Sequence, residues 1–214
     1  MEKSNKILFL DNDGVICLSD NWGSRHKKAR EYMIKTKTPE YDLSMLDETK
    51  RPVDIRFDNF DKKSIMVLNK ILEETNVEIV VSSDWRLYAN LEELGGYYMS
   101  QGIIKKPIGF TKKLGEFDVP EDFSWSRQWD LEQTRCLEIH QWLKEHPEVT
   151  NWVAVDDLNM GKTGKYYSMD FEHEWGLENF VHTPLNNQGI KQSGVKDKIV
   201  NFLNRETHNI NEGF

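Results

Sequence analysis

The sequence predicts an α/β protein, a three-layer Rossmann-like arrangement in which a parallel sheet is flanked by helices. Two observations carry this prediction. Short apolar runs of strand length alternate with longer segments of helical period, and three of those runs stop abruptly at side chains capable of chemistry.

The first run, Ile7-Leu8-Phe9-Leu10, is apolar throughout, as a strand buried on both faces must be, and it ends in Asp11-Asn12-Asp13-Gly14. Asp61 to Glu74 reads as a helix capped by Asp61, with Ile65, Leu68, Ile71 and Leu72 recurring on one face. The β-branched run Val77 to Val81 comes next and gives way to Ser82-Ser83-Asp84. Thr134 to Glu145 has helical spacing through Ile139, Trp142 and Leu143 and is stopped by Pro147. Trp152-Val153-Ala154-Val155 then leads into Asp156-Asp157. Right-handed crossovers make the sheet parallel, and ligands of such sheets bind beyond the carboxyl ends of the strands, so all three polar clusters are expected to meet there.

A chain of 214 residues suits a single domain spanning residues 1–214. Two stretches, at about 19–59 and 87–130, break the alternation with Gly, Pro and aromatic residues and read as insertions over the crevice. The 36 acidic against 28 basic residues give a net charge of −8, which argues against an extended nucleic-acid-binding surface. The local run Arg25 to Arg30 is read as a basic helix face, with contact to a phosphate backbone as the alternative. No segment approaches the ~18 apolar residues of a membrane span, and the N-terminus reads as no signal peptide, so the expected compartment is the cytoplasm. Cys17 and Cys136 lack the spacing of a zinc site and are expected to be buried thiols.

The clusters suggest a chemistry. Asp11, at the strand end, suits a nucleophile toward phosphorus and a metal ligand, while a turn at Gly14 curls Asp13 back as acid and then base. A pair of turn-capping aspartates is the plainer reading. Phosphate esters repel a carboxylate nucleophile, so a cation is required, and the oxygen donors Asp156 and Asp157, with Asp11 and the Asp13 carbonyl, suit Mg²⁺. Ser82, or Ser83 in its place, is the candidate partner of a phosphoryl oxygen, and Arg135, in the first turn of its helix, the candidate cation. Arg86 either contacts substrate or braces the loop.

With these residues assembled, the chain resembles the haloacid-dehalogenase-like phosphohydrolase superfamily. ILFLDNDGV matches the superfamily's apolar strand ending in D-x-D-G, IVVSS its strand ending in Ser or Thr, and WVAVDD its strand ending in paired acids. Further stretches, VEIVVSSDWR, GF-T, TRCLEIHQWL and FVHTPLNNQGI, look like the small domains of this kind found alone or within RNA-repair proteins. The resemblance implies a minimal cap or none, a phosphomonoesterase acting through an aspartyl-phosphate on Asp11, and a phosphorylated small molecule or nucleic-acid end as substrate. A phosphotransferase and a non-catalytic binding protein are the alternatives. The superfamily's usual lysine stands here as Arg135, so Lys112 and Lys113 are rival cations; Asp13 favours phosphate chemistry over dehalogenation.

Three further signals are weaker. Gly161-Lys162-Thr163 ends like a P-loop, but the required upstream glycine position holds Asp156. His173-Glu174 begins like a zinc-protease helix, but Leu177 stands where the second histidine belongs. Trp22, Trp125 and Trp129 are read as packing residues, with stacking on a base as the alternative.

Overall fold

The computed structural model describes residues 5–39, 48–116, 130–161, 165–166, 169–170 and 176–205. In chain order the elements are β1 (Lys6–Leu10), α1 (Ser24–Thr36), α2 (Val53–Arg56), α3 (Lys62–Thr75), β2 (Glu78–Val81), α4 (Leu91–Gln101), β3 (Gly109–Phe110), α5 (Asp130–Glu145), β4 (Asn151–Asp156), β5 (Lys165–Tyr166), β6 (Met169–Asp170), β7 (Phe180–His182) and α6 (Val195–Leu203). Five strands form one parallel sheet in the order β3-β2-β1-β4-β7, and β5 and β6 pair as a small antiparallel hairpin.

Alternate residues of the central strands feed two cores. Leu8, Leu10, Ile79, Val81, Val153 and Val155 pack with Leu68, Ile71 and Leu72 of α3, Tyr97 and Tyr98 of α4, and Ile199 and Leu203 of α6. On the opposite face Ile7, Phe9, Val80 and Ala154 meet Cys136, Ile139 and Trp142 of α5. Each fully buried aliphatic side chain contributes roughly 1.5–3 kcal/mol, and this accounts for the unbroken apolar runs of β1 and β4. Both cysteines are buried free thiols.

Asp61 caps α3 as its position suggests, its side chain accepting from the Ser64 backbone N–H at 2.8 Å. Three differences from the sequence reading matter for the site. The α5 helix begins at Asp130, before Thr134, so Arg135 lies in its second turn. The stretch read as a periodless insertion contains α4, whose start is a full capping box between Asn90 and Glu93. β3 and β7, too short to stand out in sequence, complete the sheet on its two edges. Among the described residues no helix is long and apolar enough to cross a membrane.

Candidate active site

Register gathers the polar clusters. Leu10 is aligned with Val81 and with Val155, so Asp11 and Ser82, the first residues past β1 and β2, stand beside Asp156, the last residue of β4. The backbone ladder continues one residue past the strands: Asp11 N–H donates to the Val155 carbonyl at 3.1 Å, Ser82 N–H to Leu10 at 3.0 Å, Thr111 N–H to Val81 at 3.1 Å and Thr183 N–H to Asp156 at 2.9 Å. Each functional side chain therefore stands on anchored backbone rather than on a free loop.

The turn after β1 is built on the Asn12 carbonyl, which accepts from the N–H groups of Ile16 at 3.0 Å and Cys17 at 2.8 Å. The Asn12 side chain is fixed from below by the Tyr98 hydroxyl at 2.5 Å. Gly14 adopts φ +68°, and a β-carbon there would overlap the Asp157 carboxylate. Glycine is required here twice over, for the left-handed backbone and for the close approach of the acid. Gly14→Ala should accordingly lower the melting temperature by several degrees, on the scale of about 1–3 kcal/mol for a strained backbone plus a clash.

Arg135 is the centre of the charge arrangement. Its Nη1 donates to Asp11 Oδ1 at 2.9 Å, to the Ser82 carbonyl at 2.9 Å and to Asp156 Oδ2 at 3.0 Å, while Nη2 lies 3.5 Å from Asp84 Oδ1. The other oxygen of Asp156 accepts from the Leu158 N–H at 2.9 Å. Carboxylate oxygens of Asp11, Asp156 and Asp157 lie within 4.8 Å of one another. Three acids facing one guanidinium leave an excess of negative charge in a buried place, and the acids show it. Burial, reinforced by Asp156, raises Asp11 well above the carboxylate range despite the pull of Arg135. Burial raises Asp156 against the same pull, and burial with the neighbouring Asp11 charge pushes Asp157 up to about 6. For Arg135, burial opposes the charge, but Asp156 and Asp11 outweigh it and the guanidinium stays protonated.

The second acid of the first cluster, Asp13, points into a different environment. Burial raises it, while hydrogen bonds from the Trp85 indole and the Cys17 thiol favour its charged form. Both serine hydroxyls after β2 are buried without a hydrogen bond of good geometry, although Ser83 is close enough to Asp11 to favour the carboxylate. The Thr111 and Thr183 hydroxyls, at the same carboxyl end of the sheet, are also buried and unpartnered. Both threonines stand in stretches that carry the family resemblance, GF-T and FVHTPLNNQGI, but their place at the site, like the contact of Trp85 with Asp13, is not legible in the sequence. The only available signal is Trp85's place two residues after the serine pair.

Two candidate cations are engaged elsewhere. Arg86 forms a buried pair with Glu138 of α5 at 2.6 Å and donates to the Ser83 carbonyl at 3.0 Å, contacts that brace the serine loop rather than face a substrate. Lys112 is exposed and paired with Glu145 at 2.6 Å, and Lys113 is exposed. Arg135 is thus the cation in contact with Asp11. Trp22 is 48% exposed, not packed. Lys162, His173, Glu174, Trp125 and Trp129 lie outside the described residues.

A parallel sheet that presents an aspartate after its first strand, a serine after the next and paired aspartates at the end of β4 defines a domain of the haloacid-dehalogenase class, with a phosphohydrolase-type function. The chain belongs to the family described as the HAD domain in Swiss Army Knife RNA repair proteins, whose model matches residues 7–192. Comparisons with curated proteins and with solved structures gave no match.

The donor set fits the magnesium ion usual in this class. Its oxygens are hard ligands, their net negative charge is offset among the described residues by Arg135 alone, and burial makes each charge costly without a cation.

Proposed function

We propose that the protein is a magnesium-dependent phosphomonoesterase that works through phosphorylation of Asp11 and acts on the terminal phosphate of a nucleic acid. The observation that supports it most is the grouping of Asp11, Asp156 and Asp157 within 4.8 Å of one another, with a buried arginine donating to two of them. Magnesium would be held by Asp11, Asp157 and the Asp13 backbone carbonyl, with Asp156 as a further ligand or as a support fixed by Arg135 and Leu158. When bound, it supplies the positive charge that lets an anionic ester approach the carboxylates.

The chain's own residues then divide the work. An Asp11 carboxylate oxygen attacks phosphorus, and as that bond forms the bond to the leaving oxygen breaks. The departing electron pair takes a proton from Asp13. Arg135 holds the attacking carboxylate in place and faces the phosphoryl oxygens, and the unpartnered Ser82 hydroxyl is available to donate to one of them. In the second half Asp13, now a carboxylate, accepts a proton from water as the water attacks phosphorus. Inorganic phosphate leaves and Asp11 is regenerated.

The nucleic-acid reading is favoured by α1. Its thirteen residues carry five basic side chains against one acid, in a protein of net charge −8. Arg25, Lys27, Arg30 and Lys35 are exposed and form no ion pair among the described residues. The helix is tied to the site, since Asp58 accepts from the Arg25 N–H at 2.7 Å and Arg25 lies close enough to Asp13 to influence its charge. Arg25 also stands three residues from the exposed Trp22, a surface on which a base can stack.

The test is release of inorganic phosphate from 4-nitrophenyl phosphate and from short oligonucleotides carrying a 5′- or 3′-phosphate, with magnesium or with chelator. Release should require magnesium. Release from the oligonucleotide should be salt-sensitive, and replacing Lys27, Arg30 and Lys35 by Gln should raise its KM about tenfold or more while leaving 4-nitrophenyl phosphate turnover unchanged. No release from any ester would leave a binding protein. Transfer to an added alcohol in place of water would make it a phosphotransferase.

A further inference from the structure

Trp85 stands on the short turn Asp84–Leu87, immediately after the serine loop, and its indole Nε1 donates to Asp13 Oδ2 at 2.8 Å. The ring is 7% exposed and cannot swing away. It stacks on Phe57 at 4.6 Å and 11° and on Phe60 at 5.2 Å and 16°, with Tyr97 tilted against it at 6.1 Å. One short segment thereby supplies both the serine pair beside Asp11 and a rigid contact to Asp13.

We infer that Trp85 is a positioning residue for proton transfer to the leaving group: its indole N–H engages Asp13 Oδ2 and so directs the transferable proton to Oδ1. The inference rests on the reading of Asp13 as the acid of an Asp11 phosphohydrolase. Its physical basis is the one-way character of the indole. An indole N–H donates and cannot accept, so a protonated Asp13 that keeps this bond accepts through Oδ2, and because the carbonyl oxygen of a carboxyl group is the better acceptor, the hydrogen is favoured on Oδ1. After proton transfer the same bond stabilises the carboxylate that must accept a proton from water. The Cys17 thiol also donates to Asp13, but sulfur is the weaker donor and its hydrogen is free to rotate. A tryptophan present only to fill the core would also satisfy its N–H, so stability alone does not separate the two roles.

Leaving-group dependence does. 4-Nitrophenolate departs with little help from an acid, whereas an alkoxide needs its proton. Trp85→Phe keeps the stacked ring and removes the donor. With magnesium present, its kcat/KM on an alkyl monoester such as benzyl phosphate should fall about ten- to a hundredfold, while 4-nitrophenyl phosphate changes less than about threefold. Benzothienylalanine at position 85, which has tryptophan's shape without its N–H, should reproduce this pattern and decides the matter if Trp85→Phe folds poorly. Equal loss on both esters, or loss on neither, overturns the inference while leaving the phosphohydrolase reading intact. A wild-type protein that hydrolyses neither ester overturns both.

Discussion

Asp11→Asn should abolish phosphate release while leaving the fold intact. The side chain is nearly isosteric, and its amide oxygen can still accept from Arg135, whose Nη1 lies 2.9 Å from Asp11 Oδ1. The variant lacks the anionic oxygen that attacks phosphorus, so turnover of 4-nitrophenyl phosphate with magnesium should fall by at least about a thousandfold, the scale of removing a covalent nucleophile. Stability should move the other way. Burial and Asp156 both penalise the Asp11 charge, so the neutral residue should raise the melting temperature of the chelator-treated protein at pH 8. Thermal melts and a phosphate assay on the same preparation check both halves. Undiminished magnesium-dependent turnover would remove Asp11 from the mechanism.

The parts of this site visible in the sequence are the residues that stand directly after a long buried strand. β1 and β4 are buried on both faces, so their runs are uniformly apolar and their ends unmistakable, and parallel register then fixes Asp11, Ser82 and Asp156 as neighbours. β3 and β7 are two and three residues long, shorter than any periodic signal, so Thr111 and Thr183 have no strand end to mark them. The adjacent Gly95 and Gly96 obscure α4, although the Asn90 and Glu93 capping box is there to be read. Arg86 and Arg135 show a harder limit. Both are candidate phosphate cations by sequence, and the difference between them is that Glu138 of α5 reaches Arg86 while Arg135 reaches Asp11. That choice is made by how a helix lies across a sheet, which neither spacing nor composition encodes.

The strongest effect on stability is expected from Arg135→Met, and it should depend on pH in a direction the acids dictate. Arg135 is a buried cation that bridges Asp11 and Asp156, and removing it leaves two buried like charges without their shared partner. Breaking such a cluster costs roughly 3–5 kcal/mol when the acids are ionised. Asp11, Asp156 and Asp157 all have folded-state pKa values raised above the ordinary carboxylate value, Asp157 to about 6. Between the unfolded value near 4 and these raised values, the folded protein binds more protons than the unfolded one. Without metal the contribution of these three acids to stability is therefore greatest at low pH and is lost progressively as pH rises through the raised values. Removing Arg135 raises Asp11 and Asp156 further, so the variant should melt only modestly below the wild type at pH 5 and far below it at pH 8, both in chelator. Arg135→Lys should fall between them, because the ammonium keeps the charge near Asp11, the Ser82 carbonyl and Asp156 but lacks the planar guanidinium that holds Nη1 in place and the Nη2 that lies 3.5 Å from Asp84. Adding Asp156→Asn to Arg135→Met should recover much of the loss at pH 8, since it removes one of the two unpaired charges, and should restore no activity. A pH-independent deficit across this series would mean that Arg135 serves as packing, and the electrostatic account of the site would fail with it.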